Sequence, residues 1–285
     1  MNALTQQAGP AILDEATVSA LLQSLRERVG ITIETPRWLI KEYLQERIVD
    51  LGLGSLEDYM AYLNAGLESR AEWLALVDLL TVKETRFFRQ PEAFALVHDH
   101  LASAMAEAKT WPELAVWSVG CSTGEELYSL GMVVDKALRD AGSDTNWHGI
   151  GTDVSFGAIA RARSGIYPAR NLVNIPLPYR HTGIEPSSDG QAQVAEAIRS
   201  RVNFFHSNLM HVSSAPFAKF DVVFCQNVLI YFDRDTRLQI IDELFARTRN
   251  AGLMVLGAGE DIGWHRPGAA RVSQRGITAF KKTEV

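Results

Sequence analysis

The first eighty residues carry apolar side chains at the spacing of a helical face. Val18, Leu21 and Leu25 recur three or four positions apart behind Asp14, whose carboxylate suits a helix N-cap. Similar stripes predict four helices, at 14–28, between Pro36 and Gly52, from Ser55 onward, and at 70–80. The pattern therefore indicates a small all-α domain over residues 1–80.

Residues 81–110 connect this domain to the rest of the chain. A polar segment at 81–89, TVKETRFFR, closes on two phenylalanines and an arginine. Pro91 then suits the first turn of a helix that reaches about Ala108. We expect this linker helix to lead into a second domain that begins near residue 111.

From residue 111 the pattern alternates between short apolar runs and amphipathic segments. It predicts strands at 115–119, 148–152, 202–206, 220–225 and 253–258, and helices at 124–140, 155–164 and 233–249. Such alternation is typical of an α/β fold with a mostly parallel sheet covered by helices. Two final strands, at 270–274 and 277–282, have no helix between them and should form an antiparallel terminal hairpin. Prolines and glycines interrupt the alternation at 165–201, where we expect an irregular insertion.

Composition and charge exclude several classes of function. The 285 residues include two cysteines, too few for a disulfide framework or a zinc site, and seven histidines without metal-ligand spacing. The formal net charge of −6 lies entirely in residues 1–80, with 12 acidic and 6 basic side chains, and it argues against general nucleic-acid binding. The chain has no run of 18 apolar residues and no secretion signal at its start, so we expect a cytoplasmic protein without membrane insertion.

Small and polar residues follow each predicted parallel strand. Gly120 and Gly124 enclose the turn after the first strand, Asp153 follows the second, and Asn208-Leu209 and Gln226-Asn227 follow the next two. Ligands of open α/β sheets bind past these strand ends, where a glycine turn presents backbone N–H groups. Asp153 is the acid expected to accept hydrogen bonds from two ribose hydroxyls. It stands 33 positions after Gly120, longer than the ~20 of a dinucleotide fingerprint, which disfavours an NAD-dependent oxidoreductase.

Several motifs in colinear order narrow the function further. Between residues 120 and 260 the chain reads GCSTGEE, TDV, ARSGIY, FDVVFCQNVLIYFD and GLMVLGAGE. With TVKETRFFR upstream, these segments resemble the chemotaxis-receptor glutamate methyltransferases, the CheR-type family. The resemblance implies a Rossmann-like class I methyltransferase domain at 111–285. It also implies S-adenosyl-L-methionine as cofactor and glutamate side chains of methyl-accepting chemoreceptors, in their cytoplasmic helical bundle, as substrate. We expect the protein to act as a monomer.

Carried over residue by residue, the resemblance implies roles for ten positions. Thr85 and Arg89 would meet the amino acid end of the cofactor or the methyl-transfer centre, and Tyr231 would face the reacting centre. Cofactor contacts are implied for Gly120 and Glu126 at the glycine turn, Asp153 at the ribose, Asn208 and Leu209 at the adenine, and Gln226 and Asn227 at the methionyl side. The chain departs from the family where Gln226 replaces a usual Arg and Lys83 a common Asn.

The insertion at 165–201 also has a counterpart in the resemblance. Enterobacterial members of the family carry a three-stranded β-subdomain there, which docks on a receptor tail peptide. The proline-rich version in this chain resembles the members attached to type IV pilus chemosensory systems.

Each candidate residue also has a structural alternative. Glu126 is favourable in a first helical turn, Asp153 suits a cap for the helix near Ser155, and Arg89 has Glu92 as a partner three positions on. Asn208 and Asn227 satisfy loop backbones in many proteins, and Tyr231 has Phe232 to pack on. One of Phe87 and Phe88 is expected in the core. For the whole chain the alternative is a non-catalytic S-adenosylmethionine-binding signalling module.

Overall fold

The computed structural model describes residues 13–66, 69–81, 84–107, 113–186, 190–214, 219–274 and 276–283. The chain divides into two compact units, Met1–Val82 and Lys83–Val285. They are called the helical unit and the α/β unit below. Lys83, one of the two departures from the family pattern, lies outside the described residues. No helix of the described segments is both long and apolar enough to cross a membrane.

The helical unit is built from the amphipathic stripes that the sequence predicts. Its helices are α1 (Glu15–Val29), α2 (Arg37–Asp50), α3 (Leu56–Leu63) and α4 (Ser69–Leu80). Asp14 caps α1 by accepting a hydrogen bond from the Thr17 N–H, and Ser55 caps α3 through the Asp58 N–H. Gly30 ends α1 in the left-handed conformation, with φ of 78°. The predicted helix bounds are thus confirmed to within a few residues, because local capping signals set them.

The α/β unit contains a seven-stranded sheet with helices packed against it. Its strands are β1 (Leu114–Val119), β2 (Trp147–Asp153), β6 (Val202–His206), β7 (Phe220–Cys225), β8 (Thr248–Leu256), β9 (Ala269–Gln274) and β10 (Ile277–Lys282). Its longer helices are α5 (Pro91–Glu107), α6 (Glu125–Asp140), α7 (Phe156–Ser164) and α10 (Arg234–Ala246).

The strand order is β6-β2-β1-β7-β8-β10-β9. β1 lies parallel to both β2 and β7, whereas β10 pairs antiparallel with β8 and β9. All six residues of β1 and of β7 are buried, as expected for central strands covered on both faces. The α/β fold with a mostly parallel sheet and an antiparallel terminal hairpin is therefore confirmed.

The insertion at 165–201 is more regular than the sequence predicts. It holds a second, antiparallel sheet of three short strands, β3 (Ile166–Pro168), β4 (Ile184–Pro186) and β5 (Gln191–Val194), in the order β3-β5-β4. Short helices α8 (Leu177–Gly183) and α9 (Glu196–Arg199) flank these strands. The expectation of an irregular segment was wrong because strands of three residues are too short to show alternation. Pro168 and Pro186 end the two outer strands, where proline costs no ladder hydrogen bond.

Candidate active site

The turn between β1 and α6 takes backbone conformations that favour glycine. Gly120 and Gly124 have φ of 70° and 97°, and Ser122 between them has φ of 48°. A Cβ on Gly120 would lie 2.3 Å from Cγ2 of Val228, so the loop after β7 packs directly on this turn. Only a glycine fits here, because both the backbone angle and the close approach exclude a larger residue.

Asp153 joins this turn to the start of α7. Its Oδ2 accepts a hydrogen bond from the Ser122 N–H at 2.8 Å, and its Oδ1 accepts one from the Ser155 N–H at 2.8 Å. Ser155, not Asp153, is the N-cap of α7, since its Oγ accepts from the Ala158 N–H. The capping alternative for Asp153 was therefore wrong. A carboxylate at this strand end has the chemistry to accept hydrogen bonds from ribose hydroxyls.

Glu126 lies where several charges meet. Its Oε1 accepts a hydrogen bond from Ser118 Oγ at 2.7 Å. Burial raises the pKa of its carboxyl to about 8, and the negative charges of Glu260 and Asp153 add to this effect, while the Ser118 hydrogen bond and Arg89 oppose it. These residues come from four different places in the sequence, so the fold has brought four charged groups to one site.

Arg89 reaches this site from the segment that precedes α5. Its side chain is 36% exposed, and its Nη1 donates to the Glu84 carbonyl oxygen at 3.0 Å. Its nearest carboxylate is Glu84 at 3.9 Å, so the predicted alternative of a pair with Glu92 is wrong. Thr85 lies half-buried in the same segment. Among the described residues, the guanidinium of Arg89 thus has one hydrogen bond, to a backbone carbonyl, and one ion pair at 3.9 Å.

The two phenylalanines next to Arg89 belong to the core. Phe87 is 0% exposed and packs edge-on against Tyr167, with ring centroids 5.0 Å apart. Phe88 is 4% exposed and packs on Tyr179, with ring centroids 4.8 Å apart. The expectation that one of them belongs to the core is confirmed, and the structure buries the other as well. Their burial instead fixes the backbone from which Arg89 extends.

The ends of β6 and β7 place the remaining candidates. Asn208 Oδ1 accepts from the Met210 N–H at 2.9 Å, an Asx turn that shapes the loop containing Leu209. Gln226 is buried and donates to the Leu256 carbonyl oxygen at 3.4 Å. Asn227 has a left-handed backbone with φ of 59°, and Tyr231 ends the short 3-10 turn that follows. Ligand contacts at these positions stay predictions.

Glu260 is a buried residue near this site to which the sequence analysis assigned no role. Its carboxylate accepts hydrogen bonds from the backbone N–H groups of Asn227 and Ile230, both at 3.2 Å. The motif GLMVLGAGE contains it, but nothing local in that motif points to residues 227 and 230. Only the pairing of β7 with β8 brings these segments together.

The sheet and the site define a class of protein. A glycine turn that opens α6, an acid at the end of β2, and a mostly parallel sheet with an antiparallel end are the features of a Rossmann-like class I methyltransferase with S-adenosylmethionine as cofactor. Ser122 Oγ is buried without a hydrogen-bond partner among the described residues. An unpaired hydroxyl beside Asp153 and the cradle at Gly120 fit a polar ligand at this turn.

Comparison with known proteins identifies the family. Residues 83–277 match the family model described as "CheR methyltransferase, SAM binding domain", and the chain belongs to this family. It is 32% identical over 267 residues to the chemotaxis protein methyltransferase of Klebsiella aerogenes, covering 92% of this chain and 88% of the relative. Chemotaxis protein methyltransferase 2 of Pseudomonas aeruginosa is 32% identical over 249 residues, covering 84% and 86%. The Escherichia coli relative is 30% identical over 264 residues, covering 91% and 89%.

Family membership decides between the functions left open by the sequence. The chain is an S-adenosylmethionine-dependent methyltransferase, which favours the catalytic interpretation over a non-catalytic binding module. The NAD alternative receives no support. The assignment of individual site residues, and of the pilus-associated subtype, stays a prediction.

Proposed function

We propose that this enzyme transfers the methyl group of S-adenosylmethionine to glutamate side chains of methyl-accepting chemoreceptors and so forms glutamate methyl esters. The observation that carries the proposal is Arg89, a partly exposed guanidinium whose positive charge opposes the rise in the pKa of the Glu126 carboxyl. An arginine held only by a backbone carbonyl and a carboxylate 3.9 Å away keeps donors for an anionic substrate. The family and its chemotaxis relatives support the same substrate class.

The chemistry needs orientation more than proton transfer. S-adenosylmethionine supplies an electrophilic methyl group on a positively charged sulfur. A glutamate carboxylate has a free pKa of about 4.3 and is already ionised at neutral pH, so the site requires no general base. A carboxylate oxygen forms the new bond to the methyl carbon as the carbon–sulfur bond breaks, and the two opposite charges disappear. Alignment of the two groups can contribute roughly 7–11 kcal/mol.

The side chains of the site divide this work. Arg89 would orient the substrate carboxylate through its planar fork, and Tyr231 would border the reacting centre. Asp153 would hold the cofactor ribose, while Thr85, Glu126 and Asn227 would contact its amino acid portion. We place the enzyme in the cytoplasm as a monomer that meets the cytoplasmic helical bundle of its receptor.

The experiment uses the purified protein, methyl-labelled cofactor and membranes that contain a chemoreceptor. We expect label in the receptor that mild base releases as methanol, because esters are base-labile and N-methyl groups are not. Membranes without receptor are the control. Label that is stable in base would contradict an ester product. Cofactor binding without any methyl transfer would favour the alternative function, a non-catalytic S-adenosylmethionine-binding signalling module.

A further inference from the structure

Glu260 is a buried carboxylate whose only hydrogen-bond donors in the described residues are backbone N–H groups. Its side chain is 1% exposed and lies in the loop that follows β8. No lysine or arginine of the described segments forms an ion pair with it. A buried carboxylate without a cation is costly unless several donors point at it, so its surroundings must be built for it.

Three backbone N–H groups point at this carboxylate. Oε2 accepts from Gly257 at 2.7 Å and from Asn227 at 3.2 Å, and Oε1 accepts from Ile230 at 3.2 Å. Two of the three donors belong to residues 226–231, called the Tyr231 loop below. One side chain therefore fixes the loop at two points, three residues apart.

The end of β8 is shaped to admit the carboxylate. A Cβ on Gly257 would lie 2.2 Å from Oε2 of Glu260 and 2.7 Å from its Cδ. Any side chain there would displace the carboxylate from its donors. The sequence Gly257-Ala258-Gly259-Glu260 is thus a cradle in which the glycine and the acid require each other.

The backbone of the Tyr231 loop determines the shape of the site around it. Asn227 has φ of 59°, in the left-handed region that asparagine adopts more readily than most residues other than glycine. Val228 packs on Gly120, so the position of the loop also sets the shape of the glycine turn. Tyr231 stands at the end of the loop. A shift of this backbone would move a predicted cofactor contact and a predicted reacting-centre residue together.

We propose that Glu260 is a positioning residue whose ionised carboxylate holds the Tyr231 loop in the conformation that methyl transfer requires. The part of the proposal that concerns Tyr231 rests on the function proposed above. The negative charge of Glu260 also contributes to the raised pKa of Glu126, in keeping with a location beside the cofactor site. Burial raises the pKa of Glu260 itself, while its backbone hydrogen bonds lower it.

The first test compares Glu260→Gln with Asp261→Asn. Both changes remove one buried acid from the same loop, but Asp261 pairs with Arg271, and among the described residues its side chain forms no hydrogen bond with the Tyr231 loop. In Glu260→Gln an amide NH2 replaces one oxygen and meets a backbone donor. We expect kcat for receptor methylation at saturating cofactor to fall at least tenfold in Glu260→Gln, because small misplacements of catalytic groups cost about that much or more. Asp261→Asn should keep kcat within about twofold of the parent.

Glu260→Asp tests whether a carboxylate on a shorter side chain can replace Glu260. It keeps the carboxylate but withdraws it by one methylene, so it should bind some of the three donors and recover part of the lost kcat. Equal kcat values for Glu260→Gln and Asp261→Asn, with similar midpoints of thermal unfolding, would overturn the proposal. Glu260 would then have a structural role only.

The second test needs neither a variant nor the receptor. Amide hydrogen exchange of the parent protein should show the N–H groups of Asn227 and Ile230 protected at least tenfold over exposed loop amides. Exchange of both at the rate of exposed loops would overturn the proposal even if Glu260→Gln did not fold. Absence of receptor methylation by the parent, with both amides protected, would instead count against the proposed function alone.

Discussion

The helical unit and the α/β unit each bury glutamates, but the partners differ. In the helical unit, Glu72 accepts from Arg47 Nε at 3.0 Å, from Arg47 Nη2 at 2.7 Å and from the Tyr59 hydroxyl at 2.6 Å. In the α/β unit, Glu126 has one hydroxyl donor, Ser118, and Glu260 has backbone donors only. A bidentate arginine thus neutralises the first acid, whereas no cation pairs with the other two in the described part of the chain.

The pKa values follow from these partners. Burial pushes the pKa of Glu72 up, but the hydrogen bonds from Arg47 and Tyr59 outweigh it, so the pKa is lowered from its usual value. Burial dominates at Glu126 and raises its pKa to about 8. A buried acid with complete partners stabilises a fold, and one with incomplete partners costs stability and is a candidate for binding a ligand. The following predictions test this contrast.

The largest expected effect is the loss of Arg47. Arg47→Ala leaves Glu72 buried with one donor, and removing one partner of a buried pair costs about 3 kcal/mol in the free energy of unfolding. Chemical denaturation of parent and variant measures it. Lys41→Ala is the matched control, because its partner Glu15 is exposed and surface pairs contribute about 0–1 kcal/mol. Equal losses for the two variants would refute the distinction.

Arg89 should behave in the opposite way to Arg47. Arg89→Ala is expected to lower methyl transfer about a hundredfold, or ~2.7 kcal/mol in activation free energy, because it removes the fork that orients the substrate carboxylate. Its free energy of unfolding should change by less than about 0.5 kcal/mol. Arg89→Lys should remain close to Arg89→Ala in turnover. Near-normal turnover with lysine would mean that only a point charge is needed.

Asp153 should affect cofactor binding rather than the fold. Losing a charge-assisted hydrogen bond costs about 1.5–3 kcal/mol, so Asp153→Ala should weaken S-adenosylhomocysteine binding at least tenfold in calorimetry. Asp140→Ala, which removes an exposed acid from the end of α6, is the control. An unchanged dissociation constant in folded Asp153→Ala would leave this residue as a link between the turn and α7 only.

The smallest effect is in the pH dependence of stability, where the contributions of Glu72 and Glu126 should differ in sign. The pKa of Glu72 is lower in the folded protein than its unfolded value near 4.5, so the ionised carboxylate stabilises the fold above pH 4.5. This contribution is lost as the pH falls from 4.5 through the folded pKa. The raised pKa of Glu126 does the reverse, since between 4.5 and about 8 the native state binds more protons and stability falls as pH rises.

Unfolding measurements on Glu72→Gln and Glu126→Gln at pH 4, 6 and 8 separate these cases. Against the parent, Glu72→Gln should lose stability on going from pH 4 to 6, and Glu126→Gln should gain it from pH 6 to 8. The change should stay below about 1 kcal/mol for Glu72→Gln, because pH 4 is close to the unfolded pKa, and should be on the order of 2 kcal/mol for Glu126→Gln. Parallel curves for the two variants would contradict the assigned pKa directions.

Much of the fold followed from local patterns, and much of the site from strand ends. Caps such as Asp14 and Ser55, and apolar spacing within each helix, set the helical unit. The rule that ligands bind past strand ends selected Gly120 and Asp153, which one hydrogen bond network now joins through Ser122. The short strands at 166–168 and 184–186 were missed because their pairing with 191–194 leaves no period in the sequence.

The sequence by itself determined the helices, the order of strands and helices, and the motifs of the family, since each depends on residues close along the chain. Only the tertiary structure decided the partners of the buried acids. Glu72 meets Arg47 across 25 positions, and Glu260 meets Asn227 across 33. The cost of burying a carboxylate depends on the donors around it, and those donors come together only when the chain folds.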